Sequence, residues 1–201
     1  MWQGGYVKVK KSNSFGTKQI AITAILLAIC LVSQIFKSLS VFITGPVINA
    51  CLLLTASLVN LPCAIALSVI TPITAYFIAA SPVMMVVPGI IPFIMLGNVV
   101  LVVSTHFILK KDLDTMNLDG INSLKLIIKA VLCSLLKAVF MGLTISLWLL
   151  PTFVPEQSPL RQKMPVFQYT FSVVQFITAC IGFIYFAIIL VAIKSYAKRN
   201  S

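Results

Sequence analysis

Lys137 is the residue of this chain with the most distinctive chemistry, because it lies inside the long apolar stretch 124–150. An ammonium group near the centre of a bilayer costs about 2.5–3.5 kcal/mol on insertion scales, so it normally faces a cavity or a partner. The chain has only four acidic residues, all in predicted loops: Asp112, Asp114, Asp119 and Glu156. A lysine with no carboxylate at its own depth favours an anionic or strongly polar ligand.

Several uncharged polar residues fall at a comparable depth. Asn98 precedes Lys110 by 12 positions and Lys137 follows Lys125 by 12, which places both roughly 18 Å from the same boundary at about 1.5 Å of rise per residue. Asn49 lies 11 positions before Asn60, which follows its own apolar stretch, and hence at about 16 Å. Tyr76, Gln34 and Gln175 fall nearer the opposite face. The predicted ligand-binding set is Lys137, Asn98, Asn49, Tyr76 and Gln175.

Each member of this set also has a structural interpretation. Lys137 could extend to the headgroups, although a stem of about 6 Å does not cover roughly 18 Å of depth. Asn98 and Asn49 could instead form interhelical hydrogen bonds worth about 0.6–2 kcal/mol. Gln175 and Tyr76 could serve packing or lie at an interface. From the residues alone, both interpretations stay open.

The elements that position these residues are apolar helices. The range 38–109 contains no Asp, Glu, Lys or Arg, whereas a soluble surface needs charged groups. The whole chain is 60% hydrophobic and 9% charged, against about a quarter charged in ordinary globular proteins. A bilayer core takes roughly 20 helical residues to cross, so this range alone amounts to about three crossings. The sequence predicts an integral membrane protein.

The predicted fold is an all-α polytopic membrane protein with six transmembrane helices. A basic leader, 1–17, precedes them and a short tail, 196–201, follows. Proline-containing connectors separate the helices at 81–89 and 151–166, and a charged loop covers 110–123. The predicted helices are approximately 18–36, 41–59, 62–80, 90–109, 124–150 and 168–195.

The basic residues predict the orientation of this bundle. Six crossings put both termini on one side, and that side collects eleven of the fifteen Lys and Arg residues, whereas the other side collects Lys37, Arg161 and Lys163. Positive charge favours the cytoplasmic side, so both termini are predicted to be cytoplasmic. The basic residues that give the net charge of +11 flank the apolar segments, as this orientation effect predicts. We therefore expect no nucleic acid partner. The eleven are Lys8, Lys10, Lys11, Lys18, Lys110, Lys111, Lys125, Lys129, Lys194, Lys198 and Arg199.

Catalysis, cofactors and metals are not expected. The five cysteines lie within apolar segments and are interpreted as small core residues, and not as disulfides or metal ligands. An intramembrane enzyme would need a carboxylate pair, a metal site or a nucleophile with a base at membrane depth. No phosphate-binding glycine loop is present, so any energy source must lie in partners.

Small residues mark a different kind of site on the first helix. Ala21, Ala24 and Ala28 form a stripe that would let another helix approach closely, which matters because lipid provides no hydrophobic drive for helices to associate. We interpret this stripe as a partner interface.

Together these features resemble the substrate-binding S components of energy-coupling-factor (ECF) ABC transporters. The resemblance comprises the basic leader, Ala24-x-x-x-Ala28 on the first of six helices, and three further segments. Those segments are Gly45-Pro46-Val47-Ile48-Asn49-Ala50, Pro92-Phe93-Ile94-Met95-Leu96-Gly97-Asn98 and Leu136-Lys137-Ala138.

The resemblance implies a function and a set of partners. Such proteins lie in the cell membrane, capture a vitamin or similar micronutrient, and dock through the alanine motif onto a transmembrane coupling subunit that carries two ATPases. Ala24 and Ala28 would then be docking residues, and Asn98 and Lys137 pocket residues. The substrate is left open among riboflavin, pantothenate, folate and a pyrimidine precursor. The alternative is a stand-alone secondary transporter of a small polar solute.

Overall fold

A computed structural model of the chain describes residues 16–36, 40–115 and 124–199. Within these ranges the protein is helical and has no strand, and six helical segments are long and apolar enough to cross a membrane. This confirms the all-α class and the six candidate spans, the architecture of a multi-pass membrane protein. Most of the predicted leader, the loop residues 116–123 and the last two residues of the predicted tail lie outside the described residues.

Some of the spans combine α-helix with π-helical turns, and the connectors between spans contain short helices of their own. Helix α2 ends in π-helical turns over Thr55–Val59, and α6 continues through π-helical turns over Gly142–Leu149 into α7. A 3₁₀ turn over Pro159–Lys163 leads into α8. The α-helices are α1 (Thr17–Ile35), α2 (Val41–Leu54), α3 (Leu61–Ala79), α4 (Pro82–Val86), α5 (Ile90–Thr115), α6 (Leu124–Met141), α7 (Leu150–Phe153), α8 (Met164–Phe171) and α9 (Val173–Arg199).

Three of these boundaries differ from the sequence-based ranges. Helix α5 continues to Thr115, beyond the expected end at residue 109, so the start of the charged loop is helical. The connector expected at 151–166 contains α7, the 3₁₀ turn and the start of α8. Helix α9 continues to Arg199, so most of the predicted tail 196–201 is helical.

Side-chain caps explain where several helices begin. The Ser40 hydroxyl accepts a hydrogen bond from the backbone N–H of Phe42 (3.1 Å) at the start of α2. The Asn60 carboxamide oxygen accepts one from the backbone N–H of Cys63 (2.9 Å) at the start of α3. These caps satisfy N–H groups that have no acceptor within the helix, a requirement that is stricter in lipid than in water.

Helix α2 lies at the centre of the bundle and packs against α1, α3, α5 and α9. Its closest neighbour is α9, because a Cβ added at Gly182 would lie 2.6 Å from the Asn49 Cβ and 3.1 Å from the carbonyl oxygen of Pro46. A Cβ added at Gly45 would likewise lie 2.9 Å from Cγ2 of Thr178. Glycine on each helix therefore permits an approach that any larger side chain would prevent.

The buried apolar residues form two clusters. The first core joins α1, α2, α3, α5 and α9 toward the end of the bundle where α1 begins and α9 ends, and it includes Leu52, Leu101 and Phe186. The second core lies toward the opposite end, where it joins α4, the start of α5, the end of α6 and α8, and it includes Met84 and Ile145. The polar residues of the next section lie between the two cores.

Candidate functional site

Lys137 is the centre of a buried hydrogen-bond cluster that joins three helices. Its ammonium nitrogen Nζ on α6 donates to Oδ1 of Asn49 on α2 (2.6 Å) and to Oδ1 of Asn98 on α5 (2.9 Å). The Lys137 side chain is only 2% exposed, so it does not extend to the outside of the bundle. Since an ammonium carries three N–H donors, one donor remains beyond these two bonds.

Close helix contacts position this cluster. Gly182 allows α9 to lie directly against Asn49, as described above. Gly97, beside Asn98, has the same effect between α5 and α6, because a Cβ added there would lie 2.6 Å from Cγ of Met141. Met141 follows Lys137 by one helical turn. Gly97 therefore brings Asn98 close to the lysine, and Gly182 fixes Asn49 against α9.

The cluster forms part of the wall of a cavity of about 180 Å³. Among the described residues that line the cavity, Lys137 alone has a charged side chain, so these residues offer positive but no negative charge. Most of the remaining lining is apolar or hydroxyl-bearing. The lining residues are Gln34, Val41, Thr44, Gly45, Ile48, Asn49, Thr71, Pro72, Ala75, Ser81, Met84, Ile94, Asn98, Lys137, Thr170, Phe171 and Gln175.

Gln34 of α1 has an unusual place in this wall. The side chain is fully buried, and its amide nitrogen Nε2 donates to the backbone carbonyl of Thr71 on α3 (3.0 Å). Its carboxamide oxygen Oε1 has no hydrogen-bond partner in the described part of the chain. A buried acceptor without a donor costs about 1–3 kcal/mol of folding stability, so a donor that reached this oxygen would stabilise the protein.

Helix α8 contributes Thr170 and Phe171 to the cavity wall, and it hydrogen bonds to the π-helical turns after α6. The Ser146 hydroxyl donates to the carbonyl of Gln168 (2.9 Å), and Nε2 of Gln168 donates to the carbonyl of Ser146 (2.9 Å). Arg161 in the preceding connector donates to the carbonyl of Pro151 (2.9 Å). These bonds hold Phe171 and its neighbour Thr170 against the cavity.

The structure brings together four of the five predicted ligand-binding residues. Lys137, Asn98, Asn49 and Gln175 all line the cavity. Tyr76 is not among the lining residues, and its ring lies edge-on to Phe77, with ring centroids 5.6 Å apart, beside the second core.

The prediction omitted other lining residues, chiefly Gln34, Thr44, Thr71 and Thr170. Gln34 could have been recognised as a polar residue in an apolar helix. Such a residue reveals its depth in the membrane but not the direction in which its side chain points.

The three alanines of the predicted partner interface lie on an open face of α1. Ala21, Ala24 and Ala28 are all exposed, whereas Cys30 and Gln34 of the same helix are buried against the bundle. Helix α1 is also the least covered of the six spans. A continuous face of small residues is therefore accessible from outside the bundle.

Comparison with known proteins does not identify this arrangement. No family model, curated protein or solved structure matches the chain. Function must accordingly be inferred from the side chains of the site and from the cavity that they line.

Proposed function

We propose that this chain is the membrane-embedded substrate-capture subunit of an ECF-type transporter. In this role it binds a vitamin or related micronutrient and relies on a separate coupling subunit and two ATPases for energy. The observation that carries the proposal is the buried cavity wall formed by Lys137 with Asn49 and Asn98. A cation with no carboxylate beside it and one donor in reserve is suited to hold a polar guest.

The exposed alanine face of α1 supports the second half of the proposal. Two membrane helices approach most closely where small residues let their backbones come together. Ala21, Ala24 and Ala28 leave such a face uncovered on the outermost helix. In the proposed orientation both termini are cytoplasmic and the chain lies in the cell membrane, so the cavity, which borders the second core at Met84 and Phe171, lies toward the outer side.

A stand-alone secondary transporter is the alternative, and the interrupted helices around the cavity favour it. Pro46 and Pro72 lie within α2 and α3, and α8 and α9 are separated at Ser172. Transporters of that class use broken helices at their binding sites. They also commonly couple transport through intramembrane acidic residues, whereas the membrane-spanning part of α5 ends at Lys110, before Asp112 and Asp114, and the other candidate spans contain no acidic residue. Co-purification with a cytosolic ATPase pair would favour the capture subunit.

The experiment that tests the proposal is a thermal-shift screen of the purified protein against a panel of vitamins. A ligand at a hundred times its dissociation constant stabilises the native state by about 2.7 kcal/mol, which is readily measured. We expect one compound to stabilise the wild type and to lose affinity at least tenfold in Lys137→Met. Lys125→Met, an exposed lysine of the same helix, is the matched control and should bind normally. No stabilisation by any compound, or equal affinity in Lys137→Met, would contradict the proposed site.

Docking is tested separately on the alanine face. Replacing Ala24 and Ala28 with leucine should abolish association with the coupling subunit while leaving ligand affinity unchanged. Ile29→Phe adds bulk to an exposed neighbouring position and should leave association intact.

A further inference from the structure

The cavity wall offers its ligand a hydrogen-bond acceptor in addition to the Lys137 cation. Lys137 supplies an N–H donor from one part of the wall. Gln34 belongs to another part of the wall, and its buried carboxamide oxygen is an acceptor without a donor among the described residues. A ligand that satisfies both must carry an acceptor group and, separately, an N–H or O–H group.

We propose that the ligand is a neutral or anionic single-ring compound with a hydrogen-bond acceptor for Lys137 and an N–H or O–H donor for Gln34. This inference rests on the proposed function, which it deepens by naming the chemical class of the substrate. It also makes Gln34 the residue that selects for the donor group.

The Gln34 oxygen can become available without leaving the Thr71 carbonyl unpaired. In this conformation the side chain is fully covered, so its carboxamide must turn toward the cavity to meet a ligand. That turn is about a torsion with a broad, shallow profile. It would release the bond from Nε2 to the Thr71 carbonyl, but that carbonyl also accepts from the Thr74 hydroxyl at 3.0 Å. The carbonyl therefore keeps a partner.

The size of the cavity suits a ligand of one ring. A cavity of about 150 Å³ accommodates benzene, so one of about 180 Å³ accommodates a six-membered ring with one or two small substituents. Apolar side chains such as Ile48, Pro72 and Phe171 would contact the faces of such a ring.

The charge of the cavity excludes cations. Within the described part of the chain, Lys137 is the one charged side chain of the lining, and no carboxylate of that lining compensates a second positive charge. A cationic ligand would therefore meet like-charge repulsion in a medium of low dielectric constant. An anion would be paired with Lys137, and a neutral ligand would accept its free N–H.

Four matched probes test each of these demands on the purified protein in nanodiscs. The probes are 4-hydroxybenzoate, 4-methylbenzoate, 4-hydroxybenzamide and 4-hydroxybenzylamine. The first two differ only by a hydroxyl against a methyl group of similar size, the third is the neutral counterpart of the first, and the fourth is a cation. Dissociation constants are measured by calorimetry for the wild type and for Gln34→Leu, Gln34→Met and Gln162→Leu. Gln162 is exposed outside the cavity and serves as the control.

We expect the wild type to bind 4-hydroxybenzoate about tenfold more tightly than 4-methylbenzoate, the contribution of one additional hydrogen bond. The ratio should fall to about one in Gln34→Leu and in Gln34→Met and should persist in Gln162→Leu. The benzamide should also bind, and the benzylamine should be at least tenfold weaker than the benzoate. The wild-type ratio and the benzylamine result are independent of whether a Gln34 variant folds.

A wild-type ratio near one, an unchanged ratio in the Gln34 variants, or tight binding of the benzylamine would overturn the inference. If none of the four probes binds while a compound of the vitamin panel does, the assigned ligand class is wrong and the proposed function stands. If neither the probes nor the panel bind, both fail.

Discussion

The two cores of this bundle differ in how the polar side chains around them bond. Around the first core, polar side chains bond to the backbone of their own helix, as Thr55 does to the carbonyl of Cys51 (2.8 Å) and Ser68 to that of Ala64 (2.8 Å). Around the cavity and the second core such bonds also occur, but bonds between helices are added to them. Examples are Lys137 with its two asparagines, and Thr44 to the carbonyl of Ser33 (3.0 Å).

The backbone also differs between the two ends of the bundle, with more irregular helices near the cavity and the second core. Near the cavity and the second core the helices are interrupted by Pro46, Pro72, the π-helical turns of 142–149 and the break at Ser172. The first core has one irregular segment, the turns over Thr55–Val59. Side-chain bonds within a helix leave neighbouring helices free to pack by shape alone, whereas bonds between helices fix particular atoms in space. The comparison indicates that the first core provides stability and the cavity end provides a defined arrangement of polar groups.

The largest effect on this arrangement is expected from the contact between α2 and α9. In Gly182→Ala the new methyl group would lie 2.6 Å from the Asn49 Cβ and 3.1 Å from a backbone carbonyl, neither of which can move without shifting α2. We expect a loss of about 1–3 kcal/mol in the free energy of unfolding, typical of an overpacked core, together with loss of ligand binding. Unfolding in mixed detergent–SDS micelles measures the first quantity.

Gly142→Ala is the control for this substitution, because its added Cβ would lie 3.4 Å from Cβ of Ser172, close to ordinary contact. It should be near neutral in unfolding free energy. Equal destabilisation by both substitutions would show that the α2–α9 contact is not special.

A smaller effect is expected for the coupling between Lys137 and Asn49, measured by a double-mutant cycle. Lys137→Met, Asn49→Leu and the double variant should give a coupling free energy of about 1–2 kcal/mol, within the range for groups in direct contact. The reason is that each single substitution leaves a buried polar group with one bond fewer, whereas the double substitution removes both groups.

The Lys129–Asp112 ion pair at the other end of α6 is the control for this cycle. Its atoms are 2.5 Å apart, but the side chains are 37% and 32% exposed. A surface pair of this kind contributes about 0.2–1 kcal/mol. If its coupling equalled that of Lys137 with Asn49, burial would not be what strengthens the cluster.

The sequence could predict how deep these residues lie but not which way they face. Rise per residue placed Asn98 and Lys137 at one depth, and they do form a hydrogen bond. Tyr76 was selected by the same reasoning, yet it is not among the lining residues, because a helix that is apolar all round has no periodicity to reveal its inner face.

Gln34 was left out of the predicted site for a related reason. Its hydrogen-bond partner is the backbone carbonyl of Thr71 on another helix, which no residue type in the sequence announces. The cavity itself results from the packing of several helices around Pro46 and Pro72, so its volume and lining could not be predicted from any one segment.

A local effect on amide hydrogen exchange is expected in α8, which borders the cavity. Gln168→Leu removes the bond from Nε2 to the carbonyl of Ser146, which links α8 to the end of α6. Losing one such bond should speed amide hydrogen exchange by roughly threefold to tenfold across Met164–Phe171, because local opening becomes easier. Exchange around Leu52 and Leu101 in the first core should not change. Uniform acceleration throughout the chain would show that the two ends of the bundle open as a single unit.

The smallest effect on the isolated protein is expected on the alanine face of α1. Ala24 is exposed and takes no part in either core, so Ala24→Leu should change the free energy of unfolding by less than about 0.5 kcal/mol. Leu26 lies two residues further along the same helix but is 8% exposed and part of the first core, so Leu26→Ala should cost about 2–5 kcal/mol. Unfolding measurements on the two variants separate the faces of α1 directly. A large loss from Ala24→Leu in the isolated chain would mean that this face already packs against something in the native state, for instance a second copy, and would remove it as a free surface for a coupling subunit.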